Sequence, residues 1–292
     1  MKNIDWNHLR AFHTTADTGS LSAAARQLGL TQPTLSRQIA ALEADLDVAL
    51  FERPGRRLVL TQTGLDLLNH IATMGDAAQA FTLAASGRIQ EISGRVCISA
   101  TDSFSTYILP SIVERIKSEA PQLTIVIVAA NDLADLHQME ADLAIRHARP
   151  ERAGLMGEHI RDANAYFYAS KEWVTRNGLP TKPADMAKTG LIGFGDTARL
   201  SSYLCTLGIP MEAADFRIIS DSAVVVWEMV KRGMGVAAML QEVAKQTSGI
   251  VKLLPDMAPI CVPIWLVSHR ELQASPRIRL VHKILAEELA RL

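Results

Sequence analysis

The sequence predicts an α/β protein preceded by an all-α winged helix-turn-helix domain and a long linker helix. Three observations carry this. Two short helix patterns meet at a glycine near the start, an apolar three-and-four repeat begins after residue 61, and strand and helix patterns alternate from residue 95 onward.

The helix pair runs from Ser20 to Ile39 as SLSAAARQLGLTQPTLSRQI. Ser22 is placed to cap its first helix, Ala24 and Ala25 let a second helix cross closely, and Gly29 supplies a reversal that a Cβ resists. Thr31 caps the second helix, and Pro33 fits its first turn, where a missing N–H breaks no hydrogen bond. Leu35, Ile39 and Leu42 recur at the spacing of one buried face. The opposite face presents Gln32, Thr34, Ser36, Arg37 and Gln38, short polar groups and one guanidinium suited to base edges and phosphates in a DNA major groove, with Ser22, Thr31 and Pro33 beside them as further candidate DNA contacts. A polar face alone describes any solvated helix; the Ala-Ala pair, the glycine and the caps give this one its meaning.

Val48 to Arg53 and Arg56 to Leu60 flank Pro54-Gly55, a turn between two short apolar runs that reads as a wing. Arg53, Arg56 and Arg57 sit at or near its tip, in reach of backbone or minor groove. Residues 1–60 hold seven Lys or Arg against six Asp or Glu, so a few placed arginines, not bulk charge, must supply the attraction.

Thr61 is placed to cap a long helix in which Gly64, Leu67, Ile71, Met74, Ala78, Phe81 and Ala85 form a heptad seam. The seam predicts a dimer through residues 64–85, the competing reading being a helix packed on its own domain. Ser86-Gly87 and Ser93-Gly94 are candidate hinges. Beyond them Val96–Ser99, Thr124–Ala129 and Leu143–Arg146 read as strands, with helices over Thr106–Glu119 and Asp132–Glu140, a βαβ pattern with a parallel sheet. A second set follows: strands at Tyr166–Tyr168, Leu191–Phe194, Phe216–Ile219 and Val236–Ala238, and helices at Lys171–Asn177, Leu200–Leu207 and Ala223–Arg232. Ile264–Val267 reads as a returning strand, and Pro276–Leu292 as a final helix packed back on the first set.

Leu9-Arg10-Ala11-Phe12, the Ser20–Gln38 helix pair, Leu50-Phe51-Glu52-Arg53 and Leu60-Thr61-Gln62-Thr63-Gly64 together resemble the N-terminal signature of LysR-type transcriptional regulators. The match is dense over the first 65 residues and collinear beyond. The resemblance implies a DNA-binding domain at 1–60, a linker and dimerisation helix at 61–93, and an effector-binding domain at 94–292. It further implies two periplasmic-binding-protein-like lobes, about 94–160 plus 268–292 and about 161–267, a homotetramer, and RNA polymerase as a further candidate partner. Pattern alone gives α/β without the lobe count.

In open α/β sheets ligands bind beyond the C-terminal ends of strands. Thr101, Ser103 and Phe104 follow the first strand, Asn131 the second, and Arg146 with His147 ends the third; Phe194 and Ser222 hold corresponding places in the second set. Thr101 and Ser103 also match the hydroxyl positions where effector contacts cluster in the resembling family. Each hydroxyl could instead be a plain helix cap, and Arg146 a structural ion-pair partner. Arg146 set among Asp102, Asp196 and Asp221 favours a zwitterion or an amine over a simple dicarboxylate.

A net charge of −1 excludes a histone-like coating protein. No run approaches the ~18–20 apolar residues of a membrane span, and Asp5 and His8 lie where a signal segment would begin, so the expectation is a cytoplasmic protein. Cys97, Cys205 and Cys261 are far apart and match neither a metal spacing nor the close cysteine pair of the family's redox-sensing branch. No nucleophile elbow, phosphate loop or zinc-spaced His cluster occurs, so no enzyme, metal or cofactor is expected. The expectation is a regulator that binds an interrupted palindrome in double-stranded DNA under effector control. The alternatives are a cysteine-based redox-sensing regulator and a small-molecule-binding module without DNA function.

Overall fold

The computed structural model describes residues 4–52, 58–65, 67–68, 70–71, 74–75, 92–131, 141–151, 154–269, 272 and 275–292. Its N-terminal part is built on three helices, α1 (Trp6–Thr18), α2 (Leu21–Leu28) and α3 (Gln32–Leu46). Asp5 caps α1 by accepting from the Asn7 N–H, and α1 supplies Leu9, Ala11 and Phe12 to the core. Ser20, not Ser22, caps α2, accepting from the Ala23 N–H at 3.4 Å. Ser22 lies one residue inside the helix, and its hydroxyl donates to the Gln32 side-chain carbonyl at 3.1 Å. The chain reverses at Gly29 with φ 67°, where the Leu30 N–H reaches the Ala25 carbonyl at 2.9 Å. Thr31 caps α3 as expected, and Leu35, Ile39 and Leu42 are buried.

The wing forms from β1 (Phe51–Glu52) and β2 (Val59–Leu60), antiparallel with Phe51 opposite Leu60. Glu43 of α3 anchors it, its carboxylate accepting from the N–H groups of Leu50 at 2.8 Å and Phe51 at 3.2 Å. Arg53, Arg56 and Arg57 lie outside the described residues.

The expected dimer seam is corrected in its first half. Thr61 does cap the next helix, accepting from the Gly64 N–H at 3.0 Å. Gly64 is buried, and a Cβ on it would stand 2.2 Å from the Leu50 carbonyl oxygen. Ile71 is buried with Leu9, Phe12, Leu42 and Leu50, and Leu67 packs against them. These positions close the domain's own core, packed against the wing and α1. Ala78, Phe81, Ala85 and the Gly87 hinge lie outside the described residues.

The second part is a seven-stranded sheet ordered β10-β6-β11-β5-β3-β4, with β9 also on β6. Its strands are β3 (Gly94–Ala100), β4 (Leu123–Ala129), β5 (Leu143–Arg146), β6 (Leu155–Ser170), β9 (Ala237–Leu240), β10 (Ile250–Lys252) and β11 (Ile260–His269). Only β3, β4 and β5 are mutually parallel; β6 and β11 run antiparallel to each other over most of their length. The expected strand at Tyr166–Tyr168 is therefore one end of a 16-residue strand. Its other half alternates polar residues, His159, Arg161 and Asp162 among them, which hid it from a search for apolar runs. These two long strands join the lobes: one end of β6 lies beside β11, and through it β5, while the other pairs with β9 and β10.

Helices cover the sheet. The expected helix at Thr106–Glu119 is two, α4 (Asp102–Tyr107) and α5 (Leu109–Glu119), broken at Ile108, immediately before Leu109-Pro110. The helix expected at Asp132–Glu140 lies outside the described residues. The second lobe adds α6 (Lys171–Asn177), a parallel pair β7 (Gly193–Phe194) and β8 (Ile219–Ser220), α7 (Thr197–Thr206), α8 (Ala223–Lys231) and α9 (Gln241–Lys245). The final helix α10 (Pro276–Arg291) buries Ile278, Val281, Ile284, Leu285 and Leu289 against the first lobe. Arg115 of α5 pins it there, bonding Glu287 and Glu288, each at 2.6 Å.

Candidate DNA-reading face and effector cavity

Helix α3 leaves Gln32, Pro33 and Arg37 exposed and Thr34 and Ser36 half-exposed at its N-terminal end, while its other face is locked by Leu35 and Ile39 against Ala11, Ala24 and Ala25. The Ser22–Gln32 hydrogen bond ties α2 to the first residue of that face. The Arg37 Nε donates to the Pro33 carbonyl at 3.4 Å, one turn back along the same face. The result is a rigid helix end with polar groups outward, the form that enters a major groove.

The second site lies between the lobes. A cavity of about 250 Å³ opens where β3 gives way to α4, lined on that side by Thr101, Asp102, Ser103, Asn131 and His147. Its remaining walls are apolar, including Phe167, Leu191, Phe194, Leu204, Val226 and Met239. Thr101 makes no side-chain cap; its hydroxyl lies 3.5 Å from the His147 Nε2. The His147 Nδ1 is 3.3 Å from the Pro263 carbonyl, which can only accept, so Nδ1 carries the proton and Nε2 accepts from Thr101. Burial holds this imidazole below its ordinary pKa, with the Arg146 charge adding to the depression and the Pro263 bond opposing it.

The lobes are latched across this cavity. The Asp102 carboxylate accepts from the Ser103 N–H at 2.7 Å and, from the other lobe, from the Ser222 hydroxyl at 2.6 Å and the Val224 N–H at 3.3 Å. Asn131 accepts from the Asp102 N–H at 3.1 Å and donates to the Asp221 carbonyl at 2.6 Å. Asp102 thus sits on the N-terminus of α8, where an anionic ligand would otherwise gain most from free N–H groups and the helix dipole. Ser222 caps α8 through the Val225 N–H at 3.2 Å and donates its hydroxyl proton to Asp102; it does not itself line the cavity, contrary to the expectation.

Thr101, Ser103, Asn131 and Phe194 line the cavity as the sequence suggests; three other residues correct the expectation. Arg146 is buried outside it, donating to the Ser99 hydroxyl at 2.8 Å and to the Ile145 carbonyl at 3.0 Å. Phe104 is buried in the main hydrophobic core, which draws on both lobes, its ring 5.2 Å from that of His147. Asp196 is spent capping α7, accepting from Ala198 and Arg199 N–H groups. The charge set that favoured a zwitterion or an amine is therefore not assembled. His147, which follows Arg146 at the end of the third strand and was expected to face the cleft with it, lines the cavity; Tyr203 and the apolar floor were missed, because residues distant in sequence meet only in the folded chain.

Among the described residues no group of side chains is arranged to hold a metal ion, and no helix is long and apolar enough to cross a membrane. The bacterial regulatory helix-turn-helix model of the lysR family matches residues 6–65, and the LysR substrate binding domain model matches residues 90–290. The transcriptional regulator PtxR of Pseudomonas aeruginosa is 30% identical over 268 residues, covering 87% of this chain and 83% of PtxR. A probable hydrogen peroxide-inducible genes activator of Mycobacterium leprae is 30% identical over 262 residues, with the same coverage of both chains. Among solved structures, full-length OxyR from Pseudomonas aeruginosa superposes with a TM-score of 0.70 at 18% identity, covering 99% of this chain and 98% of that one. CrgA from Neisseria meningitidis superposes at 0.60 and 20% identity, covering 98% and 99%; both likenesses speak to the fold. With both of its parts matched in order, the chain belongs to the LysR-type transcriptional regulators.

Proposed function

We propose that this regulator binds an interrupted palindrome in double-stranded DNA and changes its DNA-binding geometry when a small-molecule effector fills the cavity between its lobes. Gln32, Pro33, Thr34, Ser36 and Arg37 read base edges, Ser22 positions Gln32, and Arg53, Arg56 and Arg57 hold the backbone beside them. The dimer forms through the part of the linker beyond the Ile71 contact. A tetramer of two such dimers, acting in the cytoplasm, and a contact with RNA polymerase complete the reading.

The observation that carries it is the cross-lobe latch beside an apolar cavity. A ligand that fits one arrangement of the lobes better than another shifts the balance between them by its differential affinity. Segment 87–95 then passes the change to the DNA-binding heads. The test is selection of genomic fragments by the purified full-length protein. Enriched sites with two half-sites spaced by about one or more helical turns support the proposal, and no enrichment with or without a metabolite extract overturns it.

A second reading has one observation in its favour: Cys205 and Cys261 are free and exposed, and relatives are named for peroxide-inducible genes. In that case peroxide, not a ligand, would set DNA affinity.

A further inference from the structure

We propose that the effector is a compact, uncharged molecule with an apolar body and one hydrogen-bond donor, such as a substituted phenol. This rests on the effector reading above and names the chemistry of the same cavity.

The features that would welcome an anion are taken or elsewhere. The α8 N-terminus and the Ser222 hydroxyl are engaged by Asp102, Arg146 is turned into the first lobe, and none of the described lining residues is Lys or Arg. An incoming carboxylate would also meet the Asp102 charge. A cation fares no better, since the Asp102 carboxylate already accepts three hydrogen bonds and the walls beyond the polar edge, Tyr203 apart, are hydrocarbon. Moving an ammonium group into such a space costs far more than one shared carboxylate returns.

What remains is a floor of Phe167, Leu191, Leu204, Val226 and Met239 under a short polar edge. At that edge the Thr101 hydroxyl donates its hydrogen bond to His147, which leaves its oxygen as an acceptor at the cavity wall, and Ser103 stands beside it. A donor on the ligand pairs with Thr101; an acceptor alone does not. The volume of about 250 Å³ holds a single substituted ring with room to spare, given that a cavity of about 150 Å³ lined by aliphatic and aromatic residues binds benzene.

The experiment uses the full-length protein and three probes of one size: 4-ethylphenol, 4-ethylbenzoate and 4-ethylbenzylamine, read by thermal shift and by calorimetric titration. The expected result is a concentration-dependent rise in Tm with the phenol alone. Ala238→Phe, which fills the cavity from β9, should abolish the response while retaining DNA binding. Thr101→Val should weaken phenol binding about tenfold, and it serves alone if the filled variant fails to fold. Tighter binding by the benzoate or the amine overturns the proposal and leaves the effector reading intact, as does a phenol response that survives in both variants. If none of the three probes binds, a metabolite extract separated on anion and cation exchangers decides. A shift from the unretained fraction upholds the proposal, a shift only from a retained fraction overturns it, and no shift from any fraction overturns the effector reading with it.

Discussion

Gly64 shows how one residue can satisfy two sequence readings while the structure chooses between them. Its place in a heptad suggested close approach of a partner helix; what approaches is the Leu50 carbonyl of the same domain. Gly64→Ala forces backbone apart, so we expect a loss of about 1–3 kcal/mol in urea denaturation, with poorer DNA binding following from the displaced wing. Arg37→Ala should weaken operator binding by about 1–3 kcal/mol and random-DNA binding much less, whereas Arg56→Ala should weaken both alike. Titrations on both DNAs at one salt concentration check this; equal losses for Arg37→Ala would remove it from the base-reading set. His147 makes the pH prediction. Burial lowers the pKa of His147, and also of His282, in the folded protein, so the unfolded chain takes up protons first as pH falls. Their contribution to stability is thus full above the ordinary imidazole value of 6.5 and declines as pH drops through it toward the depressed folded values. Denaturation curves from about pH 7.5 to 5.5 should show that decline, and His147→Gln should flatten part of it.

Short elements with their own caps were legible, and elements defined by partners were not. Thr31, Gly29 and Ser222 act locally, within a turn of where they stand, so the helices they bound could be placed from sequence. The 16-residue β6 was read as three residues because its other half alternates in polarity and gains its strand character from pairing with β11, about a hundred residues later. Asp102 was read as one of several loose carboxylates, yet it closes the lobes, since its hydrogen-bond partners at Ser222 and Val224 are 120 and 122 residues away. Asp102→Ala should open the latch, lowering effector-domain stability by about 1–2 kcal/mol and raising the radius of gyration measured by small-angle scattering. An unchanged radius would mean that apolar contacts between the lobes suffice to hold them.

For the whole molecule, the family assignment turns redox sensing into a sharp question. We expect a variant with all three cysteines replaced by serine to bind DNA with unchanged affinity under peroxide and under reductant; a peroxide response lost in that variant would make the thiols the sensor. By itself the sequence determined the helix-turn-helix with its Gly29 reversal and Thr31 cap, the order of its two parts and the α/β class, because each rests on spacing within one or two turns or strands. The tertiary structure alone placed Gly64 and Ile71 in the domain core, buried Arg146 and Phe104 away from the cavity lining, and made the cleft largely apolar and latched. Those are properties of surfaces that meet only when the chain has folded, and no local pattern encodes which residue will arrive opposite another.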